Sequence, residues 1–174
     1  MKIPIVNEQD EILYYKEREE STRDEIRRIV SLYVFNENKE VLIAKRHPSK
    51  TIDPNCWGPA VSGTVEEGET YDSNVTKEAE EEIGLTNIQP ILLRKSFYET
   101  SNARRWCARY HVTINSTERE LVLQEEEVSE IKWISLENLE KWYSERPEDF
   151  VPSFKDGSLA NMKEIYQKIY ENQN

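Results

Sequence analysis

Residues 63–85 read GTVEEGETYDSNVTKEAEEEIGL. The stretch holds three of the chain's five glycines, Gly63, Gly68 and Gly84, around its densest run of glutamates. Residues from about Thr70 to Ile83 are predicted to be helical, with Gly84 as the C-terminal stop. At about 100° per residue, Glu78, Glu81 and Glu82 fall within one arc of roughly 100°. Val75, Ala79 and Ile83, spaced by four, form the neighbouring apolar stripe and can pack on a sheet. Ser73, Thr76 and Glu80 point the other way. Three carboxylates converging beside a buried stripe repel one another unless a cation joins them. Hard divalent ions such as Mg²⁺ take carboxylate and water oxygens. A glycine ahead of the helix lets the backbone approach closely, so the Gly63 carbonyl is a candidate further ligand beside Glu78, Glu81 and Glu82. An acidic run alone is usually a solvated face. The glycines in register with it favour a metal site.

The flanking sequence supplies the framework. IPIV and EILYY around the polar turn NEQD suggest a short hairpin within about residues 1–20. DEIRRIVSLYVF and EVLIAKR are rich in Val, Ile and aromatics, with NENK as a turn between them. An irregular stretch, HPSKTIDPNC, leads to WGPAVSG. IQPILLRKSFYE and RRWCARYHVTI read as strands joined around TSNA, and VSEIKWI as another. Ser135 can cap a helix to about Tyr143, and LANMKEIYQKIYENQ reads as a terminal helix, so helices are expected over about 135–172. Strands first, a helix in the middle, strands again and helices last imply an α+β chain with a mixed sheet and helices on its faces. At 174 residues, one domain over 1–174 is expected.

Composition excludes other classes. The formal net charge is −11. Bulk electrostatic binding to nucleic acid or to anionic membranes needs clustered Lys and Arg, so neither partner is expected. No apolar run is long enough for a signal peptide or a membrane span. Cys56 and Cys107 do not make a disulfide framework. The expected location is a reducing cytoplasm.

The spacing around the glutamates carries a resemblance. Gly63, five residues, Glu69, seven residues, Lys77-Glu78-Ala79, one residue, Glu81-Glu82, one residue, Gly84-Leu85 resembles the Nudix box at eight of its nine specified positions. The exception is Lys77, where the family has Arg. The resemblance extends in order over roughly residues 1–170 and looks closest to the branch containing isopentenyl-diphosphate isomerases and their hydrolase-like relatives. It implies a Nudix fold: an α/β/α sandwich with a mixed central sheet and a loop-helix-loop box at 63–85. It also implies a Mg²⁺-dependent hydrolase, with Mn²⁺ an alternative ion, in which activated water attacks one phosphorus of a small-molecule diphosphate. The protein would be a monomer or homodimer. Glu69 and Lys77 would lock the loop onto the helix, Lys77 without the flat fork of Arg. The general base in this family is a box glutamate, here Glu78 or Glu81, or one from a distant loop. The acidic stretch LQEEEVSEIKW offers Glu126 and Glu127 beside Glu125 for the second option.

Phosphate contacts are expected from cations, since an acidic protein repels a polyanion. Arg46 and Lys50 in KRHPSK have the offset that the branch uses for terminal phosphates. Arg104 and Arg105 are further candidates. Strand alternation puts Arg105, Cys107 and Arg109 on one face, with Arg104, Trp106 and Ala108 on the other. His47 and His111 read as structural or surface residues, both cysteines as ordinary semi-buried thiols, and Trp57 as a pocket wall or an anchor of its loop. The isomerases carry a catalytic cysteine and a metal-binding histidine where this chain has Ser62 and Thr64, and a Glu-x-Glu pair where it has Ala103-Arg104-Arg105. Isomerase chemistry is therefore not expected. Retention of Glu69, Glu78, Glu81 and Glu82 weighs against a non-catalytic binding module.

Overall fold

The computed structural model describes residues 1–100, 103–155 and 157–171. Among these described residues, nine strands form one mixed sheet: β1 Lys2–Val6, β2 Ile12–Glu17, β3 Ile26–Asn36, β4 Glu40–Arg46, β5 Trp57–Pro59, β6 Val61–Thr64, β7 Ile91–Glu99, β8 Arg104–Ile114 and β9 Val128–Ser135. Three α-helices accompany it: α1 Tyr71–Ile83, α2 Leu136–Glu145 and α3 Ser158–Tyr166. A short π-helical turn, Gln167–Glu171, follows α3. Among the described residues no helix is long and apolar enough to cross a membrane.

The early turns close as their asparagines dictate. Asn7 Oδ1 accepts from the amides of Gln9 and Glu11, and Asn36 Oδ1 from those of Asn38 and Glu40. These side-chain turns let Asp10 (φ 64°) and Lys39 (φ 62°) take left-handed backbone. β3 is the spine of the sheet. It runs parallel to β8 along its whole length, Ile26 against Arg104 through Asn36 against Ile114. Its other edge is shared in sequence by β1, β6 and β4.

Period-two alternation on β3 and β8 separates two cores. Val30, Leu32, Val34, Ala108 and Tyr110 face α1, where Val75, Ala79 and Ile83 are buried against them. Removing Val75 and Ile83 from water stabilises this layer by about 1.5–3 kcal/mol each. Tyr33, Phe35 and Ile43 point to the opposite face, under Leu139 of α2 and Met162 and Ile165 of α3. Trp57 belongs to this second core, 5.5 Å from Trp142 ring to ring, and so anchors its loop. The result is a helix-sheet-helix sandwich of mixed α and β elements.

The sequence reading assigns no element to WGPAVSG. Gly58, Pro59 and Gly63 interrupt that run, yet its backbone forms β5 and β6 because β4 and β3 offer open edges to pair with. The predicted connection TSNA includes Ser101 and Asn102, which lie outside the described residues, as does residue 172 at the end of the predicted C-terminal helices.

Candidate metal and diphosphate site

The helix that carries the glutamates is held at both ends. Thr70 caps it: its hydroxyl accepts from the Ser73 amide at 3.1 Å, and Ser73 Oγ accepts from the Thr70 amide at 2.9 Å. Such reciprocal capping contributes about 1 kcal/mol. Gly84 ends it at φ 66°, and a Cβ there would come within 3.0 Å of the Val122 backbone. Glycine answers both demands. The amides of Val122 and Gln124 donate to the last carbonyls of α1, those of Ile83 and Glu82, at 3.0 Å each. Those bonds satisfy otherwise unpaired carbonyls and tie the acidic 121–127 loop to the helix.

The loop before the helix is locked by ions. Lys77 Nζ lies 3.0 Å from both Glu66 Oε1 and Glu69 Oε1. Glu69 Oε2 also accepts from the Glu66 amide at 2.9 Å and from Asn74 Nδ2 at 2.8 Å. Burial pushes the Glu69 carboxyl up, but these donors outweigh it and hold its pKa below the usual value. A lysine thus spans two carboxylates with separate bonds where an arginine would use one fork.

Asn74 is a residue that the sequence reading missed. It is fully buried, and its amide donates to Thr64 O, Glu69 and Glu78. It therefore joins β6, the loop and the first acidic side chain. Its only sequence signal was a poor helix former inside a helix, four residues before Glu78.

Glu78 fills the notch left by Gly63. A Cβ at Gly63 would lie 2.3 Å from the Glu78 carboxyl carbon and 2.4 Å from its Oε1. Glu82 Oε2 accepts from the Ser62 amide at 3.2 Å. Burial, then Glu81, push the Glu78 carboxyl up to about 7. Burial, then Glu78 and, beyond the opposing Ser62 amide, Glu127, push Glu82 up to about 8. Glu81 is exposed at the rim. Among the described residues no three His, Cys, Asp or Glu side chains are already closed around one point as a ligand set. The donors are nonetheless those a hard divalent ion takes. They are crowded, under-compensated carboxylates against a glycine backbone, without sulfur or imidazole.

The distant loop contributes Glu127. Its carbonyl accepts from the His47 amide at 2.9 Å, and its carboxylate lies 2.5 Å from Lys50 Nζ. Arg46 is within electrostatic reach of Glu82, and its Nε donates to Ile52 O at 2.9 Å. The fold thus brings Arg46, Lys50 and Glu127 to the Glu82 end of the box. Glu126 is exposed. Arg104 is not brought there: it lies on the sheet face opposite to Arg105 and is ion-paired with Glu8 and Glu99. Arg105 stands on the same face as Ser62. Cys56 and Cys107 are free thiols, Cys107 buried.

The raised carboxyls have a thermodynamic consequence. Their folded pKa values exceed the unfolded ones, so between about pH 4.5 and 8 the metal-free folded state holds more protons than the unfolded state. Their contribution to stability is therefore lost as pH rises through that window. A divalent ion reverses the loss by binding the ionised forms. The Mg²⁺-induced rise in Tm is expected to be larger at pH 8 than at pH 5.5, reaching about 5–10 °C at a hundredfold excess over Kd. Differential scanning fluorimetry of EDTA-treated protein, with and without Mg²⁺, measures it. An equal or absent shift at the two pH values would exclude Glu78 and Glu82 as the ligands.

Comparison with known proteins bears on the whole arrangement. Residues 25–154 match the model of the NUDIX domain. The chain is 34% identical over 133 residues to the Nudix hydrolase PA4841 of Pseudomonas aeruginosa, covering 74% of this chain and 75% of that one. It is 26% identical over 151 residues to the Nudix hydrolase YfcD of Escherichia coli, covering 86% and 80%. The crystal structure of DR0079 from Deinococcus radiodurans superposes with a TM-score of 0.75 at 21% identity, over 98% of this chain and 99% of that one.

Proposed function

The chain belongs to the Nudix hydrolase family, and from that premise we propose that it cleaves the diphosphate bond of a nucleoside diphosphate derivative, or of a related organic diphosphate, with Mg²⁺ as cofactor. The observation that supports this reading is that Glu82 lies within electrostatic reach of Glu78, Glu127 and Arg46, while Glu78 packs on Gly63 and Lys50 pairs with Glu127.

Glu78, Glu81, Glu82 and the Gly63 carbonyl would hold the divalent ion, which when bound offsets phosphate charge and polarises the scissile bond. Mn²⁺ suits the same oxygen donors. Arg46 grips a terminal phosphate through two guanidinium N–H groups. Lys50 binds it as a point charge, exchanging its Glu127 partner for the phosphate. That exchange frees Glu127 to accept a proton from the attacking water, which bonds to phosphorus as the bridging P–O bond breaks. The Glu69–Lys77–Asn74 network keeps Glu78 aligned through these changes.

A release assay over a panel of nucleoside diphosphate derivatives, reading phosphate and mononucleotide separately, tests the proposal. At least one member should be hydrolysed with Mg²⁺, lose all turnover in EDTA and recover it on Mg²⁺ addition. In the same assay Arg46→Ala should raise KM at least tenfold and leave the Mg²⁺ activation curve in place. Turnover that persists in EDTA would refute the metal-dependent reading.

A further inference from the structure

Three half-buried guanidinium groups share the sheet face opposite to α1, a face that meets the box at the β6 edge through Ser62. The parallel register sets Arg27 against Arg105 and Ser31 against Arg109, and Ser31 is the antiparallel partner of Ser62. Alternation therefore places Arg27, Arg105, Arg109 and Ser62 on a common face. α3 covers the far end of that face, over Tyr33 and Phe35, and the arginines keep solvent contact.

Their ionic environment sets them apart from their neighbours. Arg28, Arg94 and Arg104 are paired with Asp10, Glu164, and Glu8 with Glu99, respectively. Among the described residues, Arg27, Arg105 and Arg109 pair with no carboxylate. They make neutral contacts instead. Arg27 Nη1 lies 3.4 Å from Ser21 Oγ, and Arg109 Nη1 lies 2.6 Å from Ser96 Oγ, with its guanidinium 5.8 Å above the Tyr98 ring. Arg105 lies beside the Tyr98 hydroxyl, and its buried Nε has no acceptor. Burial, then Arg105, lower the Arg27 pKa, yet a guanidinium remains a cation in water. In a chain of net charge −11, carboxylates are the commonest charged partners available. Arg27 and Arg105, directly opposed, repel one another, and the buried Arg105 Nε is left unused, which a scaffold role does not explain.

Position relates this face to the proposed chemistry. Ser62 donates its amide to Glu82, so the face begins where the box carboxylates end. β6, β3 and β8 are successive neighbours at about 4.8 Å, which puts Arg109 roughly 10 Å from Ser62. That span exceeds a diphosphate and matches the far end of a substrate whose diphosphate lies at the box.

We propose that Arg27, Arg105 and Arg109 bind a second anionic group of the substrate, so that the preferred substrates are diphosphates carrying a further phosphate or carboxylate at their other end. This rests on the diphosphatase reading for the identity of the substrate, but not for the anion site itself. Guanidinium forks match both groups, and Tyr98 and Ser96 orient them.

The anion site is tested first without catalysis. Inorganic phosphate and succinate are titrated into EDTA-treated protein, with Tm and calorimetric heat as readouts. Saturable binding of phosphate identifies a phosphoryl group, and of succinate a carboxylate. Phosphate can also occupy the Arg46–Lys50 clamp, so one saturable site should be lost in the Arg105→Gln/Arg109→Gln variant and kept in Arg46→Ala/Lys50→Ala. Binding of neither anion, or loss only in the second variant, overturns the proposal. The Gln pair should also raise the Tm of the ligand-free protein by about 2–4 °C by relieving repulsion. A lower Tm assigns these arginines to the scaffold instead. The second arm compares a nucleoside diphosphate derivative with its ribose-phosphorylated form, and with one carrying a distal carboxylate. One charged form should show at least tenfold higher kcat/KM, with the ratio near one in the Gln pair. Equal kcat/KM for all three in the native protein overturns the substrate assignment. Absence of hydrolysis throughout would count against the diphosphatase reading and leave the titration to decide the anion site.

Discussion

Glu82→Gln is expected to lower Mg²⁺-dependent hydrolysis at least about a hundredfold while making the metal-free protein more stable at pH 8. Gln keeps the length and the Ser62 amide contact that Glu82 makes. What it removes is a charge that burial, Glu78 and Glu127 all oppose. Without an ion, that charge weakens the fold; with one, it supplies an anionic ligand. A residue whose removal helps the apo fold and ruins turnover is held for function. The two signs are read independently, by thermal melts in EDTA and by turnover in Mg²⁺. Near-normal turnover of Glu82→Gln on a confirmed substrate would show that the site lies elsewhere.

Gly63→Ala should abolish most of the same activity by a different route. The new methyl would occupy the space of the Glu78 carboxylate, which stands 2.3–2.4 Å from where the Cβ must go. The obstacle is the end of a flexible side chain, so Glu78 moves and the backbone stays. A small change in Tm is therefore expected, together with at least a tenfold weaker Mg²⁺ requirement curve and a comparable loss of kcat. Glu78 also loses its alignment with Asn74, 3.3 Å away. A Gly63→Ala protein with unchanged Mg²⁺ activation would mean that Glu78 does not need this notch to act.

These expectations were legible in the sequence to different degrees. The helix 71–83 was, because Thr70, Gly84 and the Val75-Ala79-Ile83 stripe state its start, end and buried side in local terms. The Lys77–Glu69 lock was readable only through the resemblance, since no local rule pairs residues across a loop. β5 and β6 were not legible. Gly58 and Pro59 in β5 and Ser62 and Gly63 in β6 are poor strand formers, and the strand character of both comes from hydrogen bonds to β4 and β3. Strand alternation already set Arg104 and Arg105 on opposite faces, but both stayed candidate phosphate contacts until tertiary pairing gave Arg104 to Glu8 and Glu99.

By itself the sequence determined the acidic helix, its caps and its buried stripe, because those depend on residues within one or two turns of each other. The tertiary structure alone decided which of three consecutive glutamates in the distant loop comes within electrostatic reach of Glu82. Two backbone bonds to the end of α1 and one to His47 orient that loop so that Glu127 meets Lys50, while Glu126 faces solvent. It alone also gathered Arg27 and Arg109, 82 positions apart in the chain, onto one face with Arg105. The parallel pairing of β3 with β8 sets that neighbourhood, and strand register is a long-range property that no local pattern encodes.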